Sequence, residues 1–381
     1  MKTRIAEKFQ SLFQTEGEFF ASAGRINLIG EHTDYNGGFV FPGAIDKGMI
    51  AEIKLNGTAT VRAFALDLDE YCEFGLNEED APSQGWARYI FGVCREIQKR
   101  GGVIAGFDTV FAGDVPLGAG MSSSAALEST FAFALNELFN LGIDKFELAR
   151  IGQSTEHNYC GVMCGIMDQF ASANGKKDHA IHLNCDTLEF EHVPVKLEGI
   201  KVVITNTHSP HHLDSGAYND RVRQCRLAVE QISTVKPIKF LAELTEADWA
   251  EVENAVTDPI AKKRARHVVG EVARTAAAVE ALKKGEIAYF GELMTASHVS
   301  LRDDYEVTGP ELDALAEAAW QVEGVLGSRM TGGGFGGCTV SLVKDEAIEN
   351  FKAFVSAEYE KKTGLKADFY VAEIGDGVMK V

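Results

Sequence analysis

Residues Gly24 to Tyr35, reading Gly-Arg-Ile-Asn-Leu-Ile-Gly-Glu-His-Thr-Asp-Tyr, set Arg25, Glu31, His32, Thr33 and Asp34 beside the apolar Ile26, Leu28 and Ile29. The apolar residues can anchor the segment in a core. The polar ones are then packed closely enough to grip the hydroxyls of one small polyol, and buried groups of that kind reject a ligand that fails to pair with them. A turn with solvated side chains after a strand fits the same residues, so the segment alone leaves both readings open.

A second segment, Pro116 to Glu128, joins a glycine loop to a helix start. Free N–H groups and the dipole at a helix N-terminus favour an anion, so Gly118, Ala119, Gly120, Met121, Ser122, Ser123 and Ser124 are expected to cradle nucleotide phosphates. The serine hydroxyls can donate to phosphate oxygens or ligate a magnesium ion. The loop lacks the lysine of a Walker A sequence and the third glycine of a dinucleotide fingerprint. A structural helix cap is the competing reading. A third segment, Thr331 to Cys338, carries five glycines; it is either a tight strand connection or a place where backbone closely approaches another group.

Asp168 stands among apolar residues in Gly161 to Phe170, where a positioned carboxylate can accept a hydroxyl proton during phosphoryl transfer. The competing reading is a paired structural aspartate, with Arg25 as the compensating cation. Glu156, with a serine hydroxyl, can contribute to an oxygen-rich magnesium shell. Tyr218 lies at a helix start and can hydrogen-bond a sugar hydroxyl. His157 reads as packing, and the loop histidines His208, His211 and His212 lack cysteine partners for a metal site.

Positioning these groups requires a mixture of strands and helices. Met49 to Asn56 and Ala59 to Leu66 read as strands of a hairpin through Asn56-Gly57, and Phe107 to Phe111 as another strand. Ser122 to Leu141 reads as a buried helix with a serine N-cap, and Asp144 to Tyr159 as a second helix. A hairpin over His179 to Val195 and a strand over Lys201 to Thr207 follow. Helices are expected over Tyr218 to Ser233, Ala261 to Lys284, Ile287 to Leu301 and Pro310 to Glu323. The last section reads strand, glycine loop, strand Thr339 to Val343, helix Ala347 to Thr363 and strand Ala367 to Ala372. This order predicts an α+β protein of two packed domains, 1–200 and 201–381.

At 381 residues the chain exceeds the usual size of one core, which agrees with two domains. Its net charge of −19 repels nucleic acid and anionic membranes, so neither is expected as a partner. Seven dispersed cysteines read as reduced thiols, and Cys160 and Cys164 as small hydrophobes rather than zinc ligands. With no apolar signal core at the N-terminus, a cytoplasmic protein is expected.

Together the blocks Gly-Arg-Ile-Asn-Leu-Ile-Gly-Glu-His-Thr-Asp-Tyr, Pro-Leu-Gly-Ala-Gly-Met-Ser-Ser-Ser-Ala-Ala-Leu-Glu, Cys-Gly-Ile-Met-Asp-Gln-Phe and Gly-Gly-Gly-Phe-Gly-Gly-Cys resemble the galactokinase branch of the GHMP small-molecule kinases over almost the whole chain. The first block is specific to that branch. The resemblance implies an N-terminal domain like the second domain of ribosomal protein S5, a C-terminal ferredoxin-like domain, and an active site in the cleft between them. It implies transfer of phosphate from ATP to O1 of galactose with Mg2+, and a monomer is expected. It assigns Glu31, His32, Thr33, Asp34 and Tyr218 to the sugar, the loop Gly118 to Ser124 to ATP, and Ser124 with Glu156 to the metal. Asp168 becomes the base and Arg25 the stabiliser of the transferring group. A kinase for N-acetylgalactosamine or arabinose, or a non-catalytic sensor of galactose and ATP, is the alternative. One departure is Ala23, where the family commonly has proline.

Overall fold

The computed structural model describes residues 1–115, 120–209 and 215–381. Its first elements are α1 (Lys2–Phe13), β1 (Glu18–Asn27), β2 (Phe39–Val40), β3 (Pro42–Leu55), β4 (Thr60–Ala65), β5 (Glu70–Gly75), α2 (Gly85–Lys99), β6 (Phe107–Gly113), α3 (Ser123–Leu138), α4 (Lys145–Thr155) and α5 (Met167–Asn174). Then come β7 (His179–Asn184), β8 (Phe190–Pro194), β9 (Ile200–Asn206), α6 (Ser215–Ile232), α7 (Glu246–Val252), α8 (Pro259–Lys284) and α9 (Ile287–Ser300). The chain closes with α10 (Gly309–Ala319), β10 (Val325–Thr331), β11 (Cys338–Lys344), α11 (Ile348–Thr363), β12 (Asp368–Ala372) and β13 (Met379–Lys380).

The first sheet has the order β13-β1-β3-β6-β4-β5. The expected hairpin between β3 and β4 does not form, because β6 lies between them, antiparallel to β3 and parallel to β4. The reason is burial: β6 carries Phe107, Val110 and Phe111 and is covered on both faces, which demands an interior place in the sheet. The Asn56-Gly57 turn is spread across that gap. Its backbone N–H donates to the Gly106 carbonyl (3.1 Å), and the Asn56 amide donates to Asp108 (2.8 Å) on β6.

Helix α3 is apolar nearly all round, so it packs as a central helix against the sheet through Phe131 and Leu135, beside Ile90 and Phe91 of α2. Helix α1 covers the opposite face through Ile5 and Phe9. The second sheet runs β10-β11-β9-β12, with α10 and α11 packed on it through Leu315, Phe351 and Tyr359. A shared core joins the halves, setting Ile26, Leu28 and Phe41 against Ile204, Val279, Phe290 and Val340. The chain end returns to pair with β1 at Phe20 and Ala21. The result is an α+β fold of two intimately packed parts. Among the described residues no helix is long and apolar enough to cross a membrane.

Candidate active site

A bulge in β1 starts the site. The β1–β3 register shifts between Ala23 and Arg25, and at Gly24 an added Cβ would lie 2.7 Å from the Met121 carbonyl oxygen. Only glycine lets the strand come this close to the serine loop, where the Arg25 N–H donates to that same carbonyl (3.0 Å). The bulge aims the Arg25 side chain into a cavity of about 320 Å3. Arg25, Glu31, His32 and Asp34 line it with Gly120 to Ser124, Glu156, Asp168, Tyr218 and Thr331 to Gly334, so all of the segments singled out in the sequence converge there. Gly118, Ala119, His211 and His212 lie outside the described residues.

At its centre, Arg25 grips Asp168 with two parallel bonds, Nε to Oδ1 (2.8 Å) and Nη2 to Oδ2 (2.6 Å), while Nη1 donates to the Gly120 carbonyl. Burial works against the Arg25 charge, but the Asp168 carboxylate outweighs it and holds the guanidinium above its usual pKa. Ser122 donates its hydroxyl to Asp168 Oδ2. This corrects the expected helix cap: Ser122 does occupy the N-cap of α3, but in a left-handed conformation (φ 56°), and its side chain makes no cap bond. The hydroxyl joins the phosphate-loop candidate to the carboxylate instead.

The sugar-segment candidates separate into distinct roles. Glu31 is buried, its Oε1 taking the Gly332 N–H (2.7 Å) and lying 3.1 Å from Arg329 Nη2. Burial raises the Glu31 pKa, opposed by Arg329 and Arg25. Asp34 reaches over Gly165, where an added Cβ would stand 1.8 Å from its Oδ2. Burial, then the Asp168 charge, push the Asp34 carboxyl up to about 7. His32 lines the cavity with both ring nitrogens engaged: Nε2 faces the Gly333 carbonyl (3.2 Å) and Nδ1 the Tyr35 hydroxyl (2.8 Å). A carbonyl only accepts, so Nε2 carries the hydrogen and Nδ1 accepts from Tyr35. Burial, then His267 and Arg221, lower the His32 pKa to about 3, which keeps the ring neutral. The Tyr218 ring packs 5.6 Å from His32 and 5.5 Å from Tyr35.

Thr33 corrects the expected sugar contact. It is fully buried, does not line the cavity, and spends its hydroxyl on the carbonyls of Gly30 (3.0 Å) and Phe39 (2.7 Å), which pins the turn. His208 pairs with Asp368 (2.8 Å) in an exposed position. All seven cysteines are free.

Glu156 begins a π-helical turn after α4, is buried, and has its carboxyl pushed up to about 7 by burial, with the Ser124 hydroxyl acting against the rise and Asp168 for it. Among the described residues no group of three or more His, Cys, Asp or Glu could hold a metal by itself. One carboxylate and one hydroxyl facing a phosphate-sized space still suit magnesium, which keeps waters and substrate phosphates as its other ligands. A buried carboxyl whose charge is poorly compensated is also the kind of group a cation would complete. A second cavity of about 240 Å3 shares Ser123 and Ser124 with the first and is lined by Met49, Leu66, Leu68, Trp86 and Phe111.

Some residues of the site escape local reading. Arg329, His267 and Glu271 hold the sugar segment from the other half of the chain. For His267 and Glu271 the available signal is a polar stripe on α8, where Arg264, His267, Glu271 and Thr275 recur at helical spacing and are all buried; Arg329, on β10, has no such signal.

The fold and this site define the class, and the family matches agree. Residues 88–176 match the model described as GHMP kinases N terminal domain, and residues 278–361 that described as GHMP kinases C terminal. Solved structures under 25% identity share the fold: the mevalonate kinase of Methanococcus jannaschii has a TM-score of 0.66 at 19% identity, over 95% of this chain and 100% of its own.

Residues 7–55 match the galactokinase galactose-binding signature. The galactokinase of Fusobacterium nucleatum is 47% identical over 388 residues, covering 100% of both chains. The Lactococcus lactis galactokinase, solved in complex with galactose, superposes with a TM-score of 0.96 at 43% identity, over 99% of this chain and 98% of its own. The chain belongs to the galactokinase family of GHMP kinases.

Proposed function

We propose that this chain transfers the γ-phosphoryl group of ATP to O1 of galactose, giving galactose 1-phosphate and ADP. The observation that carries the reading is the Arg25–Asp168 pair, held between the sugar segment and the serine loop and tied to the latter through Ser122 and Gly120. Phosphoryl transfer requires in-line positioning and charge stabilisation more than covalent help. Asp168 orients O1 and accepts its proton as the O1–P bond forms and the bond to the ADP oxygen breaks. Arg25 stabilises the oxygens of the transferring group.

Glu31, Asp34 and Tyr218 grip the sugar hydroxyls, with the neutral His32 ring as a wall and Thr33 behind it. Gly118 to Ser124 hold the ATP phosphates, and the apolar cavity beside Ser123, floored by Trp86 and Phe111, takes the adenine. Ser124 and Glu156 would hold Mg2+, which would offset the charge of the phosphate oxygens. The two domains divide near residue 200. The chain works as a cytoplasmic monomer, a reading supported by seven free thiols and a net charge of −19.

The test is a coupled ADP-release assay across a panel of sugars, with and without magnesium. Magnesium-dependent turnover with galactose is expected. Turnover of N-acetylgalactosamine or arabinose with silence on galactose would refute the substrate, and silence on every sugar would favour a sensor.

A further inference from the structure

The peptide of Glu31 is gripped on both sides by α8, some 240 residues away in sequence. Glu271 is fully buried, and its Oε1 accepts from the Gly30 N–H (3.0 Å), the Glu31 N–H (3.3 Å) and the Ser297 hydroxyl (2.6 Å). Its Oε2 accepts from Arg274 Nε (2.8 Å). On the other side of the same residue, His267 Nε2 lies 3.1 Å from the Glu31 carbonyl oxygen, and Nδ1 2.9 Å from the Ser300 hydroxyl. A carbonyl only accepts, so Nε2 donates and Nδ1 accepts from Ser300.

The turn held in this way needs glycine at one position and carries a backbone cost at another, His32. Gly30 has φ 94°, and an added Cβ there would lie 2.7 Å from the Phe39 carbonyl oxygen; two residues on, His32 has φ 62°, a left-handed conformation that a side chain rarely adopts. A side chain held in such a conformation persists only where its surroundings fix it. Neither Glu271 nor His267 lines the cavity, so neither touches the sugar.

We infer that Glu271 and His267 are positioning residues for sugar recognition: acting through the Glu31 peptide, they hold the Gly30–His32 turn in its binding conformation. This deepens the proposed function and rests on its assignment of Glu31 to the sugar. The effect is selective. Loosening the turn weakens the sugar end of the site, while the serine loop, held by β1 and α3, keeps its grip on nucleotide.

The experiment measures dissociation constants for galactose and for ATP separately by titration calorimetry, on Glu271→Ala, His267→Leu and His267→Gln, each checked for folding by circular dichroism. Leaving a buried backbone donor or acceptor unpaired should weaken galactose binding about tenfold or more in the first two. ATP binding should stay within about twofold. His267→Gln, whose amide N–H can replace Nε2–H, should recover most of the galactose affinity. Should Glu271→Ala fail to fold, the two His267 variants decide alone. Equal weakening of both ligands, or no change in folded protein, overturns the inference. Turnover by the unmodified chain is scored separately: binding of galactose without turnover refutes the kinase reading and leaves this one standing, whereas absence of galactose binding refutes both.

Discussion

Gly165→Ala should damage sugar phosphorylation without touching any group that does chemistry. Gly165 has no positive φ, so alanine is compatible with its backbone, and the whole effect falls on Asp34. The new methyl would stand 1.8 Å from Asp34 Oδ2, 2.1 Å from Cγ and 2.7 Å from Cβ, where real contacts do not fall below 3.0 Å. The carboxylate must therefore retreat by about 1.2 Å, because close-packed surroundings do not absorb such an overlap. A misplacement of roughly 1 Å in a positioning group lowers turnover by about 100-fold, or about 2.7 kcal/mol of barrier. The assay is coupled ADP release with galactose varied at saturating ATP, then the reverse. We expect kcat/KM for galactose to fall about 100-fold with the ATP KM nearly unchanged. Gly85→Ala, where an added Cβ meets nothing within 4 Å, is the matched control. A folded Gly165→Ala protein with galactose kcat/KM within about threefold of normal refutes the reasoning, since Asp34 would then be either movable at no cost or irrelevant to the sugar.

Asp168→Asn should lower kcat by about 10²- to 10⁴-fold if the carboxylate accepts the O1 proton; near-normal turnover with intact folding would sink that role. Arg329→Met removes the cation nearest the buried Glu31 carboxylate, leaving Arg25 as its remaining positive neighbour, and should cost about 3 kcal/mol in urea unfolding; an unchanged midpoint would contradict the pair. The Asp34 and Glu156 carboxyls, both pushed up to about 7, give a pH signature in protein free of ligand and metal. Between their ordinary values and 7 the folded chain holds protons that the unfolded chain has released, so their contribution is fully present at low pH and is lost as pH rises through 7. Asp34→Asn removes this loss for one group, so its thermal midpoint relative to the unmodified chain should rise between pH 5 and pH 8; a gap that stays flat argues against the raised pKa.

Much of the site was legible in the residues because its parts are local. A glycine loop running into an apolar helix with serines at its start, or an acidic and basic cluster beside an apolar anchor, suggests its chemistry within a dozen positions. The long amphipathic helices α6, α8 and α9 were readable for the same reason, since a periodic apolar face needs no knowledge of its partner. The β3–β4 hairpin was not readable, because a turn signal specifies a reversal and not whether a third strand will fill the gap. Ser122 and Thr33 were misread for a related reason. The Ser122 hydroxyl was expected to accept from helix amides and the Thr33 hydroxyl to meet a sugar; on folding each instead donates to an acceptor brought within reach, Asp168 for Ser122 and the Gly30 and Phe39 carbonyls for Thr33.

By itself, then, the sequence determined the ingredients: a polar segment suited to a sugar, a glycine-serine loop suited to phosphates, a carboxylate at Asp168 and the cation Arg25 to pair with it. Tertiary structure decided which of these groups face the cavity and which hold the others in place. Arg25 and Asp168 meet because a bulge at Gly24 turns β1 toward the serine loop, and Glu31 is fixed by Arg329, Gly332, His267 and Glu271 from the far half of the chain. A hydrogen bond is chosen by approach within about 3 Å. That choice is made between residues hundreds of positions apart, and no periodicity or spacing along the chain encodes it.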